Sequence, residues 1–168
     1  SRDGRVELYI LELGTGGLRR LTNDEAVESS PCWSPNGREI CYVSDRQGKP
    51  RLYVISVSGG NPRRVLSDTA ETVSPDWSSV SNKICFSLRV GREYGLAVVD
   101  AKGGDSVTLT NAAGDWESPS WAPDGRHIIC SRRLKGKRGL YMVDSWHKRL
   151  QPVTAPGDHS LPSWSDLF

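Results

Sequence analysis

Ser30-Pro31-Cys32-Trp33-Ser34-Pro35-Asn36-Gly37-Arg38-Glu39-Ile40-Cys41-Tyr42-Val43 decides the fold. Proline presets φ, and asparagine and glycine tolerate positive φ, so Pro35-Asn36-Gly37 reads as a turn between two short strands, A and B. The chain turns again through Ser44-Asp45-Arg46-Gln47-Gly48, runs apolar through Leu52-Tyr53-Val54-Ile55, breaks at Gly59-Gly60 and resumes at Arg64-Val65-Leu66. Those last two runs are strands C and D.

Working outward, Trp33 recurs as Trp77, Trp121 and Trp164 at intervals of 44, 44 and 43 residues, each two positions after Pro31, Pro75, Pro119 or Pro162. Tyr9, Tyr53, Ala97 and Tyr141 keep the same 44-residue interval, as do Gly59 and Gly103. The strand order also recurs: Trp77, Ile84-Cys85-Phe86, Leu96-Ala97-Val98-Val99 and Val107-Thr108-Leu109, then Trp121, Ile128-Ile129-Cys130, Leu140-Tyr141-Met142-Val143 and Gln151-Pro152-Val153. Short strands at near-regular spacing with Gly and Pro punctuation make an all-β protein. Four-stranded units of this length repeating in register are blades of a β-propeller. Strands apolar at successive positions fit blades covered on both faces by their neighbours. No useful window carries a 3.6-residue apolar period free of Gly or Pro, which excludes a helical reading.

With 36% apolar and 25% charged residues and a net charge of +2, the composition is that of an ordinary globular domain and not of a general nucleic-acid surface. The apolar runs are a few residues long, far short of the 18 or more of a membrane-spanning helix. The opening Ser1-Arg2-Asp3-Gly4 lacks an initiator Met and is not a signal peptide. It aligns with the turn after a strand B, so residues 1–29 are read as strands C and D of a split blade. Blades follow at 30–73, 74–117 and 118–160, and residues 161–168 form a closing strand A. That makes fifteen strands where four complete blades need sixteen. The expectation is therefore that upstream sequence has been removed, that the native ring has more blades, and that an open arc would self-associate through exposed apolar faces.

Pro31 to Arg46, with its centre restated at Trp121-Ala122-Pro123-Asp124-Gly125-Arg126, resembles the repeat motif of TolB-type propellers across essentially the whole chain. Trp77-Ser78-Ser79-Val80-Ser81-Asn82-Lys83 departs from the motif by losing the Pro and Gly, so that turn is expected to be built differently. The ending Leu161-Pro162-Ser163-Trp164-Ser165-Asp166-Leu167-Phe168 is similar to the family's closing strand A. The resemblance implies a six-bladed ring and a periplasmic, non-enzymatic scaffold of the Tol-Pal envelope system. It further implies no cofactor, and a partner that is a Pal-like peptidoglycan-associated lipoprotein bound at one end of the propeller. Similar repeats also form the gating propellers of prolyl-oligopeptidase-type serine peptidases, which is the alternative reading. A propeller enzyme acting on sugars is a weaker third, because it would need His, Arg and carboxylates clustered in the channel.

No G-x-S-x-G nucleophile elbow occurs in the chain. His127 follows an A-to-B turn and His147 lies in a C-to-D turn at one end, whereas His159 lies in a D-to-A loop at the other, so the three do not converge on a metal. Cys41 and Cys85 sit eight residues after their Trp and Cys130 nine, which turns Cys130 to the opposite face. Cys32 and Cys41 face each other if Asn36-Gly37 is a two-residue turn and not if the loop has three residues. Buried thiols are the favoured reading.

The repeating Trp residues read as packing residues. Trp116 falls outside that series, in Asn111-Ala112-Ala113-Gly114-Asp115-Trp116-Glu117, and reads as an aromatic contact on a loop. In a propeller the D-to-A and B-to-C loops share one end. The D-to-A loops carry Asp24, Glu25, Glu28, Asp68, Glu71, Asp115, Glu117 and Asp158. The B-to-C loops carry Arg46, Lys49, Arg51, Arg89, Arg92, Arg132, Arg133, Lys135, Lys137 and Arg138. This predicts an acidic inner rim within a basic outer ring. By resemblance, the partner-binding segments are Val27–Ser30, Glu71–Ser74, Asp115–Ser118 and Asp158–Leu161. The candidate partner-binding residues are Glu28, Ser29, Glu71, Thr72, Asp115, Trp116, Glu117, Asp158 and His159.

Overall fold

The computed structural model describes residues 6–67, 70–111 and 113–165. The expectations for Ser1 to Gly4, Asp68 and Asp166 to Phe168 fall outside these residues. Among the described residues every regular element is a strand. A two-stranded sheet, β1 (Tyr9–Leu11) and β2 (Leu18–Arg20), comes first. Three four-stranded antiparallel sheets follow: β3 (Glu28–Trp33), β4 (Glu39–Ser44), β5 (Arg51–Ser56) and β6 (Arg63–Arg64); β7 (Thr72–Trp77), β8 (Lys83–Val90), β9 (Glu93–Asp100) and β10 (Val107–Thr108); β11 (Asp115–Trp121), β12 (His127–Leu134), β13 (Lys137–Asp144) and β14 (Arg149–Pro152). Each sheet is a plain A-B-C-D meander, the blade of a propeller.

Strand A begins earlier than the Pro-x-Trp motif suggests. Glu28 pairs Ser44, Thr72 pairs Leu88 and Asp115 pairs Arg133, so the upper half of each strand A was misread as loop. The register then slips between Ser29 and Cys32, between Val73 and Asp76, and between Glu117 and Ser120. Each slip is a β-bulge in which a Ser-Pro dipeptide opposes one residue of strand B. Ser30, Ser74 and Ser118 take φ of 51°, 52° and 52°, and Leu161 takes 52° before Pro162, so the last segment repeats the backbone turn of strand A. A non-glycine residue there costs on the order of 1–3 kcal/mol, which the flanking pairs hold in place.

The A-to-B hairpins close on Trp33–Ile40, Trp77–Ile84 and Trp121–Ile128 pairs. In the first, Ser34 N–H donates to the Glu39 carbonyl at 2.9 Å, leaving Pro35 to Arg38 as a four-residue loop. This has the parity of the two-residue turn, so Cys32 stands opposite Cys41. The second loop has the same length without Gly; the Ser78 hydroxyl accepts the Val80 and Ser81 N–H groups at 3.4 and 3.2 Å.

Cohesion comes from blade-on-blade packing. Cys41, Val43, Leu52 and Val54 of one sheet meet Trp77, Ile84, Phe86 and Val99 of the next. Cys85, Leu96 and Val98 meet Trp116, Trp121, Ile128, Cys130 and Val143. Tyr42, Tyr53 and Ile55 meet Leu8 and Ile10 of the two-stranded sheet. Trp77 and Trp121 are each 6% exposed, as packing residues should be, but Trp33 is 53% and Trp164 39% exposed. Trp77 and Trp121 lie on strands packed against B and C of the preceding blade, whereas among the described residues the sheet before Trp33 has two strands. The packing reading therefore holds for two of the four.

Polar links cross the same boundaries. The Asp76 carboxylate accepts the Trp121 N–H at 2.6 Å from the next blade. It also takes hydrogen bonds from the Ser120 hydroxyl and the Trp77 N–H, while burial raises its pKa. At Gly103, φ 102°, a Cβ would stand 2.9 Å from the Val65 carbonyl oxygen, so this C-to-D turn can press on the preceding blade only as glycine. Removing the Asp76 carboxylate leaves a buried N–H unpaired, and Asp76→Ala is expected to lower unfolding free energy by about 1–3 kcal/mol in urea titrations.

Candidate protein-binding rim

The D-to-A segments and the B-to-C turns meet at one end of the arc, as the propeller topology implies. Asp24 pairs Arg46 at 3.0 Å, Asp115 pairs Arg133 at 2.7 Å and Glu117 pairs Arg138 at 3.7 Å. The Asp45 carboxylate accepts the Val27 N–H at 2.8 Å, and the Tyr94 hydroxyl donates to Glu71. The acidic rim is thus paired with the basic ring in the first and third blades and with the Tyr94 hydroxyl in the second. On its inner side the Ser-Pro-x steps of the three strands A, with Leu161 and Pro162, line a groove of ≈ 300 Å³.

The nine residues singled out from the sequence separate by burial. Glu28, Thr72 and Trp116 are interior, at 2%, 1% and 0% exposure. Ser29, Glu71, Asp115 and Glu117 are half-buried, and Asp158 and His159 are exposed. Trp116 is a correction: it lies 44 residues after Thr72 and 88 after Glu28, so it occupies a repeat position after all, the first inward one of strand A. Its ring packs edge-on to Tyr141 at 5.3 Å, with the Arg132 guanidinium over it at 5.0 Å. Trp116 therefore belongs to the core between blades and presents no loop surface.

At that same repeat position Glu28 builds a buried polar network. Its Oε1 accepts from Arg46 Nη2 and from the Ser44 hydroxyl, both at 2.9 Å, while Arg46 also donates to the Tyr42 hydroxyl at 3.0 Å. The Arg46 guanidinium lies 4.9 Å from the Tyr53 ring centre. Among the described residues Glu28 Oε2 has no hydrogen-bond partner. Burial outweighs the arginine and raises the Glu28 pKa, and it pushes the Tyr42 hydroxyl up further. This network was missed because glutamate on a charged connection reads as solvated; the 44-residue spacing to Thr72 and Trp116 was the signal that could have found it.

The opposite end holds His127 and His147, with His159 on the rim side. Arg126 donates to Asp144 through Nη2 at 2.6 Å, and His147 Nδ1 lies 2.9 Å from the same carboxylate. The Arg126 guanidinium, first, holds the Asp144 carboxyl well below the usual range. Trp146, 65% exposed, lies under Arg126 at 4.9 Å. It sits in a C-to-D turn off the Pro-x-Trp grid and is an exposed loop aromatic, which the buried Trp116 is not. Among the described residues no group of three His, Cys, Asp or Glu is arranged to hold a metal ion.

Arg46→Ala strands Glu28 as a buried carboxylate and should cost about 3–5 kcal/mol at neutral pH. The folded pKa of Glu28 lies above its ordinary 4.5, so its contribution is favourable below that pH and is lost as pH rises through the folded value. The deficit of the variant is thus expected to shrink in urea titrations as pH falls toward 4.5. Adding Glu28→Gln should flatten the dependence.

Comparison with known proteins agrees with this geometry. The crystal structure of TolB from Acinetobacter baumannii superposes with a TM-score of 0.85 at 26% identity, covering 98% of this chain and 41% of that one. The Tol-Pal system protein TolB of Francisella tularensis subsp. mediasiatica is 46% identical over 37 residues, 22% of this chain and 8% of that protein. A puromycin hydrolase crystal structure, with TM-score 0.74 and 15% identity over 91% of this chain and 26% of its own, shares the fold alone. The chain spans less than half of the Acinetobacter TolB that it matches. A family model for the TolB beta propeller domain matches residues 1–168, and the chain belongs to that family.

Proposed function

We propose that this chain is a non-enzymatic interaction scaffold of the periplasm, and that its rim binds a Pal-like peptidoglycan-associated lipoprotein. The observation that carries the reading is the convergence of the four segments before Pro31, Pro75, Pro119 and Pro162. Three carry the same bulge, the fourth repeats its turn at Leu161, and together they line one groove. Membership of the TolB propeller family supports the partner class. A groove with backbone fixed by paired strands is pre-organised, which lowers the ordering cost of binding.

The contacting set is what the burial leaves open: Ser29, Glu71, Asp115, Glu117, Asp158 and His159, with Leu161, 79% exposed, as the apolar contact beside them. The rim carboxylates govern encounter rate and partner choice, and the apolar groove wall supplies affinity. The likeness to the puromycin hydrolase adds no residue to the accessory-propeller alternative, since it lies in the fold alone.

Titration calorimetry with a Pal-type lipoprotein domain tests this. Glu117→Lys combined with Asp158→Lys is expected to weaken binding at least about tenfold, or roughly 1.4 kcal/mol, and to leave the unfolding midpoint nearly unchanged. Leu161→Ser should weaken it further, whereas Trp146→Ser at the far end should not. Unchanged affinity in the rim variants would refute the assignment.

A further inference from the structure

We propose that Cys32 and Cys41 are a dithiol that closes to a disulfide between strands A and B of the first complete blade and reopens on reduction. The two residues are direct partners in the β3–β4 ladder. Two steps along, Ser34 N–H bonds the Glu39 carbonyl at 2.9 Å. Pairs alternate in an antiparallel ladder, so Cys32–Cys41 is of the same hydrogen-bonded kind. Such pairs hold their Cα atoms about 5.5 Å apart, within the ~4.4–6.8 Å that a disulfide spans. Cβ atoms in these pairs lie toward the wide end of about 4.5–5.5 Å. A disulfide wants about 3.5–4.5 Å, so closure pulls the strands together and leaves a bond that is easier to reduce. The Ser30-Pro31 bulge interrupts the ladder immediately before Cys32, so the strand A pairs next to Cys32 lie on its Trp33 side.

The two thiols have different access. Cys32 is half-buried and lines the inner groove, whereas Cys41 is fully buried. The Cys32 thiolate therefore attacks one sulfur of a disulfide oxidant, R–S–S–R, and one R–S⁻ leaves. Cys41 then gives up its proton and displaces the second R–S⁻, forming the Sγ–Sγ bond. Two electrons pass to the oxidant, which ends as two thiols carrying the two protons. Burial pushes the Cys41 thiol up, with the Cys32 thiol beside it adding to the effect, which suits Cys41 to the second, intramolecular step.

The other two cysteines are internal controls. Cys85 stands opposite Asp76 and Val98, and Cys130 opposite Tyr141. Both are fully buried, and burial pushes the Cys130 thiol up to about 12. The inference is independent of the partner proposed above.

The test incubates the folded chain with oxidised glutathione, blocks remaining thiols with an alkylating agent and digests with trypsin without reduction. Cleavage after Arg20, Arg38 and Arg46 puts Cys32 on Leu21–Arg38 and Cys41 on Glu39–Arg46. The expected result is these two peptides joined, Cys85 and Cys130 alkylated only after unfolding, and the link lost on transfer to excess reduced glutathione. Cys41→Ser should stop at a glutathione adduct on Cys32. An adduct on Cys32 in the parent chain with no joined peptide, a link between Cys32 and any other cysteine, or a link that withstands excess reduced glutathione would overturn the proposal.

Discussion

Everything else in this chain depends on the contact of one sheet face with the next. A blade has no core of its own: Cys41, Val43, Leu52 and Val54 leave water only because Trp77, Ile84 and Phe86 cover them. Cys85, Leu96 and Val98 need Trp116, Trp121 and Ile128 in the same way. Both faces of the middle blade are therefore interior, and stability is a sum over blade boundaries, as in other repeat architectures. The exposure of Trp33 shows the converse, since a tryptophan at the packing position stays wet where its neighbouring sheet has two strands.

That constraint also explains the bulges. Strand A must line the inner groove, pair with strand B and present its Trp to the preceding blade. The slip at Ser30, Ser74 and Ser118 re-aims the strand midway. Above the slip the first inward position is filled by Glu28, Thr72 or Trp116, and the first and third blades satisfy it differently. Glu28 does so with Arg46 and Ser44, and Trp116 with Tyr141 and Arg132. The rim is thus a surface of paired strands whose outward residues alternate with buried ones. Its charges are tied to the neighbouring turns, and its shape is set before any partner arrives.

The blade repeat and the strand order were legible because Pro, Gly and Trp recur at fixed intervals and each has a mechanical reason to be there. The end shared by acidic and basic connections was legible from topology and charge. The upper half of strand A was not, because Val27 to Ser30 and its equivalents carry Glu, Ser and Asp, which look like connection when read alone, and because Ser-Pro looks like a boundary when it is a bulge. Trp116 was misplaced for the same reason: the interval was counted from the tryptophans, whose position differs, and not from Glu28 and Thr72. The opposition of Cys32 and Cys41 turned on loop parity, which four residues from Pro35 to Arg38 satisfy as well as two would.

The central claim, that neighbour packing on both faces holds the blades, is tested most directly by native-state hydrogen exchange resolved by strand. The account predicts the slowest exchange in β8 and β9, whose sheet is covered on both sides, and much faster exchange in β1 and β2. Equal protection across these strands, or slower exchange in β1 and β2 than in β8 and β9, would contradict it.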